Sequence, residues 1–191
     1  GIIPGGLEMM DKLAIKAAED FIKAGYPVEA EAILLCELDG VEADVDDDCE
    51  TVRRVLEKAG ATNIQQARDE AERAKFWAGR KNAFPAVGRM SPDYYCMDGT
   101  IPRRELPRVL KGIAALSEES GLPVANVFHA GDGNMHPLIL YDANNSGELA
   151  NAGTAVLSAA SSSGISANCC AAILLVNARL STIPSTRDDQ L

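Results

Sequence analysis

The chain has 191 residues, 47% of them hydrophobic and 24% charged, an ordinary balance for a globular protein of one medium domain or two small ones. Its net charge of -10 repels phosphate backbones and anionic lipid, so nucleic-acid and membrane-surface roles are not expected. No apolar run approaches the roughly 18 residues of a membrane span, no secretory signal opens the chain, and five cysteines without a CxxC pair read as reduced thiols of a cytoplasmic protein.

The opening Gly1-Ile2-Ile3-Pro4-Gly5-Gly6 reads as a start in mid-protein. Asp11 then caps a helix over about 12–24, with Leu13, Ala17 and Phe21 stacked and Gly25 ending it. Ala32–Leu38 is a mostly apolar strand turned by Asp39-Gly40. A second helix spans about 44–59, with Cys49, Val52, Leu56 and Ala59 on one face. Its acidic first turn, Asp44 and Asp46 to Asp48, lacks the Gly and terminal Glu of an EF-hand loop and reads as a solvated helix start. Residues 63–67 suggest an edge strand. Asp69 and Glu72 have capping-box spacing and open a helix through about Asn82, which Pro85 ends or kinks. Asp93–Met97 is an aromatic-rich strand. Pro102 fits the first turn of a helix whose Leu106, Val109, Ile113 and Leu116 face the core and which Gly121 closes. Cys36, Cys49 and Cys96 are expected as small buried apolar residues.

Val124–His129 and Met135–Tyr141 form a hairpin across Gly131-Asp132-Gly133-Asn134, because Asp-Gly supplies the positive φ of a tight turn. His136, Leu138 and Leu140 share one face of the second arm. The chain has two histidines, and His129 and His136 both lie in this hairpin. Imidazole is the commonest metal ligand and a general base suited to neutral pH. Gly131 and Gly133 let backbone approach a ligand closely. Two imidazoles are half a metal site, since a catalytic metal usually takes a third protein ligand. The same pattern also fits a turn with incidental histidines. Phe76-Trp77-Ala78-Gly79-Arg80-Lys81-Asn82 is the second candidate. There Arg80 can hold a carboxylate through its fork, or the stretch is a basic patch beside a core tryptophan.

Several long segments resemble the C-terminal (cap) domain of FAD-linked 2-hydroxyacid oxidoreductases, a family that includes bacterial glycolate oxidases and D-lactate dehydrogenases. They are Gly5–Asp11, Ala18–Phe21, Ala32–Gly40, Phe76–Pro85, Ser91–Pro102 and His129–Pro137. The resemblance covers residues 1–149. It implies an α+β fold, a ferredoxin-like antiparallel sheet with helices packed on one face, lying over a flavin. It implies oxidation of glycolate or D-lactate to the 2-keto acid, with FAD as cofactor and further glycolate oxidase subunits as partners, the assembly cytoplasmic or at the inner membrane. It casts His129 and His136 as catalytic groups and ligands of a divalent metal (Zn, Mn or Fe). Arg80 and Asn134 become substrate-binding, and Asp132, Gly133 and Asn134 shape the flavin side.

Two parts of the family pattern have no counterpart in these 191 residues: the FAD-binding domain and the Gly-Glu-His-Gly-like segment whose Glu is the third metal ligand. The isolated chain is therefore expected to be inactive. The alternative is a stand-alone ferredoxin-like ligand- or metal-binding module without redox chemistry. At about residue 150 the composition shifts. Residues 151–191 hold no Lys or Glu and four charged side chains, Arg179, Arg187, Asp188 and Asp189. Residues 150–191 are thus expected as an atypical Ala/Ser-rich tail, either out of frame or wrongly joined, or else as a buried helix with a frayed end.

Overall fold

The computed structural model describes residues 1–163. Its elements are β1 (Gly6–Asp11), α1 (Lys12–Ile22), β2 (Ala32–Glu37), α2 (Glu42–Lys58), α3 (Glu70–Lys81) and α4 (Ala83–Val87). They continue with β3 (Asp93–Cys96), β4 (Gly99–Thr100), a 3-10 turn at Arg103–Glu105, α5 (Leu106–Ser120), β5 (Val124–His129), β6 (Asn134–Met135), β7 (Pro137–Tyr141) and α6 (Glu148–Ser163).

All pairings are antiparallel. The order β2-β1-β5-β6-β4 continues on the other half of β5 as β7 and β3. β5 is the hub. Its last three residues pair β1 in the register Met10↔Val127, Met9↔Phe128 and Glu8↔His129. Its first three pair β7. The second arm of the hairpin is broken at His136, between β6 and β7.

The α+β antiparallel class is the expected one, and two details differ from the expectation. The helices stand on both faces of the sheet, not on one. Met10, Val127, Leu138 and Leu140 pack with Ile15 and Ala18 of α1 and Ala86 and Val87 of α4. The alternate residues Met9, Phe128 and Met135 pack with Val109 and Ile113 of α5, and Ile139 packs with Ala152 and Ala155 of α6. Both faces of the central strands are apolar, so both must be covered. Secondly, β1 and β2 are joined through α1 yet lie side by side and antiparallel, unlike the split βαβ unit of a ferredoxin-like sheet.

Local chemistry explains most boundaries. The Asp11 side chain accepts the Ala14 amide at 3.0 Å and starts α1. Lys23, at φ 53, ends it ahead of Gly25. Asp69 accepts the Glu72 amide at 2.8 Å, and acidic and basic residues flank the two ends of α3. Pro85 does not stop the chain's helical run. It sits in the first turn of α4, where a missing N–H costs no helical hydrogen bond. The first two residues of α5 hold Pro107, after a 3-10 turn that Pro102 precedes.

Other expectations are corrected. Residues 63–67 form no strand, because they offer no extended apolar run to pair. β1 itself is a strand that pattern reading misses. Cys36 and Cys49 are half-buried and Cys96 is exposed, since each lies on an outer strand or on α2 and not in the core. α6 begins before the compositional shift and buries Ala152 and Ala155. The expectations for 164–191 lie outside the described residues. Among those described, no helix is long and apolar enough to cross a membrane.

Candidate functional site: a carboxylate shared by an arginine and a histidine

Residues directly opposite on antiparallel strands put their side chains on the same face. Glu8 is opposite His129, His129 is opposite Asn134, and Asn134 is opposite Thr100. One rung of the sheet therefore lines up Glu8, His129, Asn134 and Thr100, drawn from β1, β5, β6 and β4. Alternation places this rung on the face of Met10 and Val127, beneath α3 and α4, where the apolar core stops.

Glu8 is the centre. Its residue is 9% exposed. Its Oε2 accepts from Nε of Arg80 at 2.9 Å and from Nη2 at 2.8 Å. Its Oε1 lies 2.7 Å from Nδ1 of His129. Arg80 comes down from the last turn of α3 and its side chain is only 11% exposed. A carboxylate this buried needs a compensating cation, and the guanidinium supplies it.

The two histidine rings meet edge to face with centroids 5.2 Å apart. His129 is the open one, with a side chain 43% exposed, and His136 is 14% exposed. His136 packs its ring against the edge of Phe84, with Asp98 Oδ1 at 3.6 Å from its Nδ1. Burial pushes the His136 imidazole below its usual range. Asp98 opposes that shift, and His129 and Arg80 add to it.

The turn is built to be tight. Gly133 has φ 81, and a Cβ there would stand 2.1 Å from the Ile101 carbonyl oxygen. Ile101 N–H donates to the Gly133 carbonyl at 3.0 Å, and Gly131 N–H donates to Leu7. Asp132 accepts the Asn134 amide at 2.9 Å. Asn134 Oδ1 is buried and has no hydrogen-bond partner among the described residues. An orphaned acceptor of this kind marks a place where a donor is wanted.

Arg80 is held from behind. The Tyr26 hydroxyl donates to the Phe76 carbonyl and accepts the Arg80 amide at 3.1 Å. Residues 76 and 80 are the two ends of one i, i+4 helical step, so the phenol is set into the ladder of α3. Burial raises the phenol pKa to about 12, which keeps it protonated and donating at neutral pH. Gly79 makes room, since a Cβ there would lie 2.2 Å from the Tyr26 ring.

Of the residues expected from sequence, His129, His136 and Arg80 converge, and Asn134 joins them on the rung. Asp132 and Gly133 shape the turn beside them. Lys81 is exposed, and Trp77 covers Gly6 of β1. Glu8, Asp98, Phe84 and Tyr26 are the members that the sequence reading does not assign. A single acidic residue between Leu7 and Met9 is the signal for Glu8, and it becomes legible only once the segment is known to be a strand.

The two imidazoles do not complete a metal site. No group of three or more His, Cys, Asp or Glu able to hold a metal occurs among the described residues. His129 Nδ1 is already engaged by Glu8, which leaves one donor nitrogen on that ring.

The fold is thus an antiparallel sheet layered by helices, with a guanidinium–carboxylate pair and two imidazoles gathered at the end of one core layer. The chain belongs to the family of FAD linked oxidases, C-terminal domain, whose model matches residues 1–164. It is 77% identical over 152 residues to the glycolate oxidase subunit GlcD of Escherichia coli (strain K12), covering 80% of this chain and 30% of that protein. It is 34% identical over 148 residues to the glycolate oxidase subunit GlcD of Bacillus subtilis (strain 168), covering 78% of this chain and 32% of that protein. To the D-lactate dehydrogenase of Anaerostipes hadrus it is 30% identical over 142 residues, 71% of this chain and 30% of that protein. The chain thus spans less than a third of the length of these relatives.

Proposed function

We propose that this chain is the substrate-side cap of an FAD-dependent 2-hydroxyacid oxidoreductase that converts glycolate, or D-lactate, to the 2-keto acid. The observation that carries this reading is the carboxylate of Glu8 shared by Arg80 and His129, because it sets a carboxylate anchor beside a base. A 2-hydroxy acid offers one carboxylate and, one carbon away, one hydroxyl. Arg80 Nη1 stands outside the two bonds to Glu8 and is the donor for the substrate carboxylate. His129 accepts the hydroxyl proton as general base while the α-carbon loses its hydride, so the C–O bond becomes C=O. FAD, when bound, is the oxidant that takes that hydride.

The other groups serve this step. Asn134 Oδ1, buried without a partner among the described residues, accepts from a donor brought by substrate or flavin. Asp132 and Gly133 hold the turn that presents it, on the proposed flavin side. His136 is kept neutral by its burial and walls the site. A divalent metal at His129 and His136 would need further ligands from outside the described residues, so no step is routed through one. The word subunit in the relatives' names supports association with further glycolate oxidase subunits; the cytoplasm or the inner membrane is the proposed place of that assembly. The 191 residues, which span less than a third of the length of these relatives, should turn over nothing by themselves.

A chimera tests the proposal: residues 1–149 replace the matching segment of the Escherichia coli GlcD subunit, and dye reduction with glycolate and D-lactate is followed. Turnover is expected. Arg80→Met should cost roughly 1.5–3 kcal/mol of carboxylate binding, about 10–150-fold in KM. A chimera that folds and binds FAD yet oxidises neither acid would sink the reading and favour a binding module without redox chemistry. Zinc and manganese titrations of the chimera and its His136→Ala variant belong beside it. Identical isotherms remove the metal.

A further inference from the structure

We infer that Glu8 is a positioning residue for the reaction proposed above: by engaging Arg80 with one carboxylate oxygen and His129 with the other, it dictates which ring nitrogen of His129 is the acceptor. This rests on that reading for its catalytic meaning and on geometry alone for its structural claim.

The geometry leaves little choice. Glu8 Oε1 is 2.7 Å from His129 Nδ1, and Glu8 Oε2 takes both Nε and Nη2 of Arg80. A carboxylate is an acceptor only. The neutral His129 ring must therefore carry its proton on Nδ1 and donate it to Glu8, so that Nε2 keeps its lone pair. Neutral imidazole left to itself has no such constraint, and the partner of one nitrogen is what fixes the role of the other. The placement is also built in by the strands. Glu8 and His129 are direct cross-strand partners, so the contact requires no long or flexible reach. The same carboxylate ties the base to Arg80, so the group that takes the proton and the group that holds the substrate keep one spacing.

A purely structural ion pair between β1 and α3 makes no demand on the tautomer of His129. Glu8→Gln separates the two cases. It keeps the shape of the side chain and has one acceptor oxygen in place of two. The Arg80 cation claims that oxygen, which leaves the amide NH2 facing His129. The ring must then accept at Nδ1 and carry its proton on Nε2, and the acceptor nitrogen is lost.

The readout is direct because the chain has two histidines. In the 15N-labelled 191-residue chain at alkaline pH, long-range proton–nitrogen spectra resolve both rings, and a His136→Gln sample assigns them. The wild type should show Nδ1–H at His129, and Glu8→Gln should show Nε2–H there with His136 unchanged. A wild-type ring already in the Nε2–H form overturns the claim without any variant, as does a Glu8→Gln ring that keeps Nδ1–H. In the chimera, Glu8→Gln should lower kcat by roughly 10–100-fold, the usual scale for groups that orient a functional histidine, with KM within about threefold of the parent because Arg80 keeps its acceptor. An unchanged kcat overturns the catalytic half. A silent parent chimera with the expected tautomers would instead fault the assigned reaction.

Discussion

The two faces of the central strands are made by alternate residues of the same segments, and they do different work. On one face, Leu7, Met9, Phe128 and Met135 sit in a continuous apolar layer under α5. On the other, Met10 and Val127 are core, and the next residues along each strand on that face are Glu8 and His129. The lesson is that the site sits at the border where one core layer ends, backed by another that does not. Its polar groups are buried on a rigid apolar floor.

The difference between the two faces is lost most completely if the floor is removed. Phe128 is fully buried and neighbours His129 in β5. Phe128→Ala should cost about 3–5 kcal/mol in urea unfolding, as for other large core aromatics. It should also disturb the imidazole signals of both histidines. A loss below about 1 kcal/mol would mean that α5 is not the support described.

A smaller change at the rim sharpens the contrast. Gly133→Ala meets the Ile101 carbonyl and forces a left-handed φ on alanine. It should cost about 1–3 kcal/mol from backbone strain plus the displacement of the turn. Because the turn carries Asn134, the imidazole signals should move more than their stability cost suggests. A variant with wild-type melting and unshifted signals contradicts the close approach.

The smallest effect is electrostatic and belongs to the polar face alone. Burial holds the folded-state pKa of His136 below its ordinary value of 6.5. The unfolded chain then takes up a proton that the folded chain refuses. Stability from this group is complete above pH 6.5 and falls as pH drops through 6.5 toward the lowered folded value. His136→Gln should flatten that part of the stability–pH curve. Unchanged slope between the two proteins would show that another group is responsible.

The sequence made α1, α3, α5 and the final hairpin legible because caps, Pro and Gly signals and apolar spacing agree there. β1 was not legible. Six residues with Glu8 in their midst look like neither an alternating strand nor a helix, and of their two pairing partners β2 lies beyond α1 and β5 more than a hundred residues away. The supposed strand at 63–67 failed for the opposite reason, a local pattern with no partner to pair. His129 and His136 were legible as a pair, and Arg80 as one of two readings of its stretch, a carboxylate fork or a basic patch, until the resemblance favoured the first. Their meeting point was not, since Glu8, Arg80 and His129 become neighbours only through the register of β1 on β5 and the descent of α3.

Tyr26 and Gly79 carry a consequence for how this protein can vary. The phenol occupies the space a side chain at 79 would fill, and its hydroxyl spans the backbone step that ends at Arg80. Positions 26, 79 and 80 thus constrain one another sterically and through one hydroxyl. A larger residue at 79 is tolerable only beside a smaller one at 26, and either exchange loosens the arginine. Among natural variants the ring and the missing side chain should come and go together.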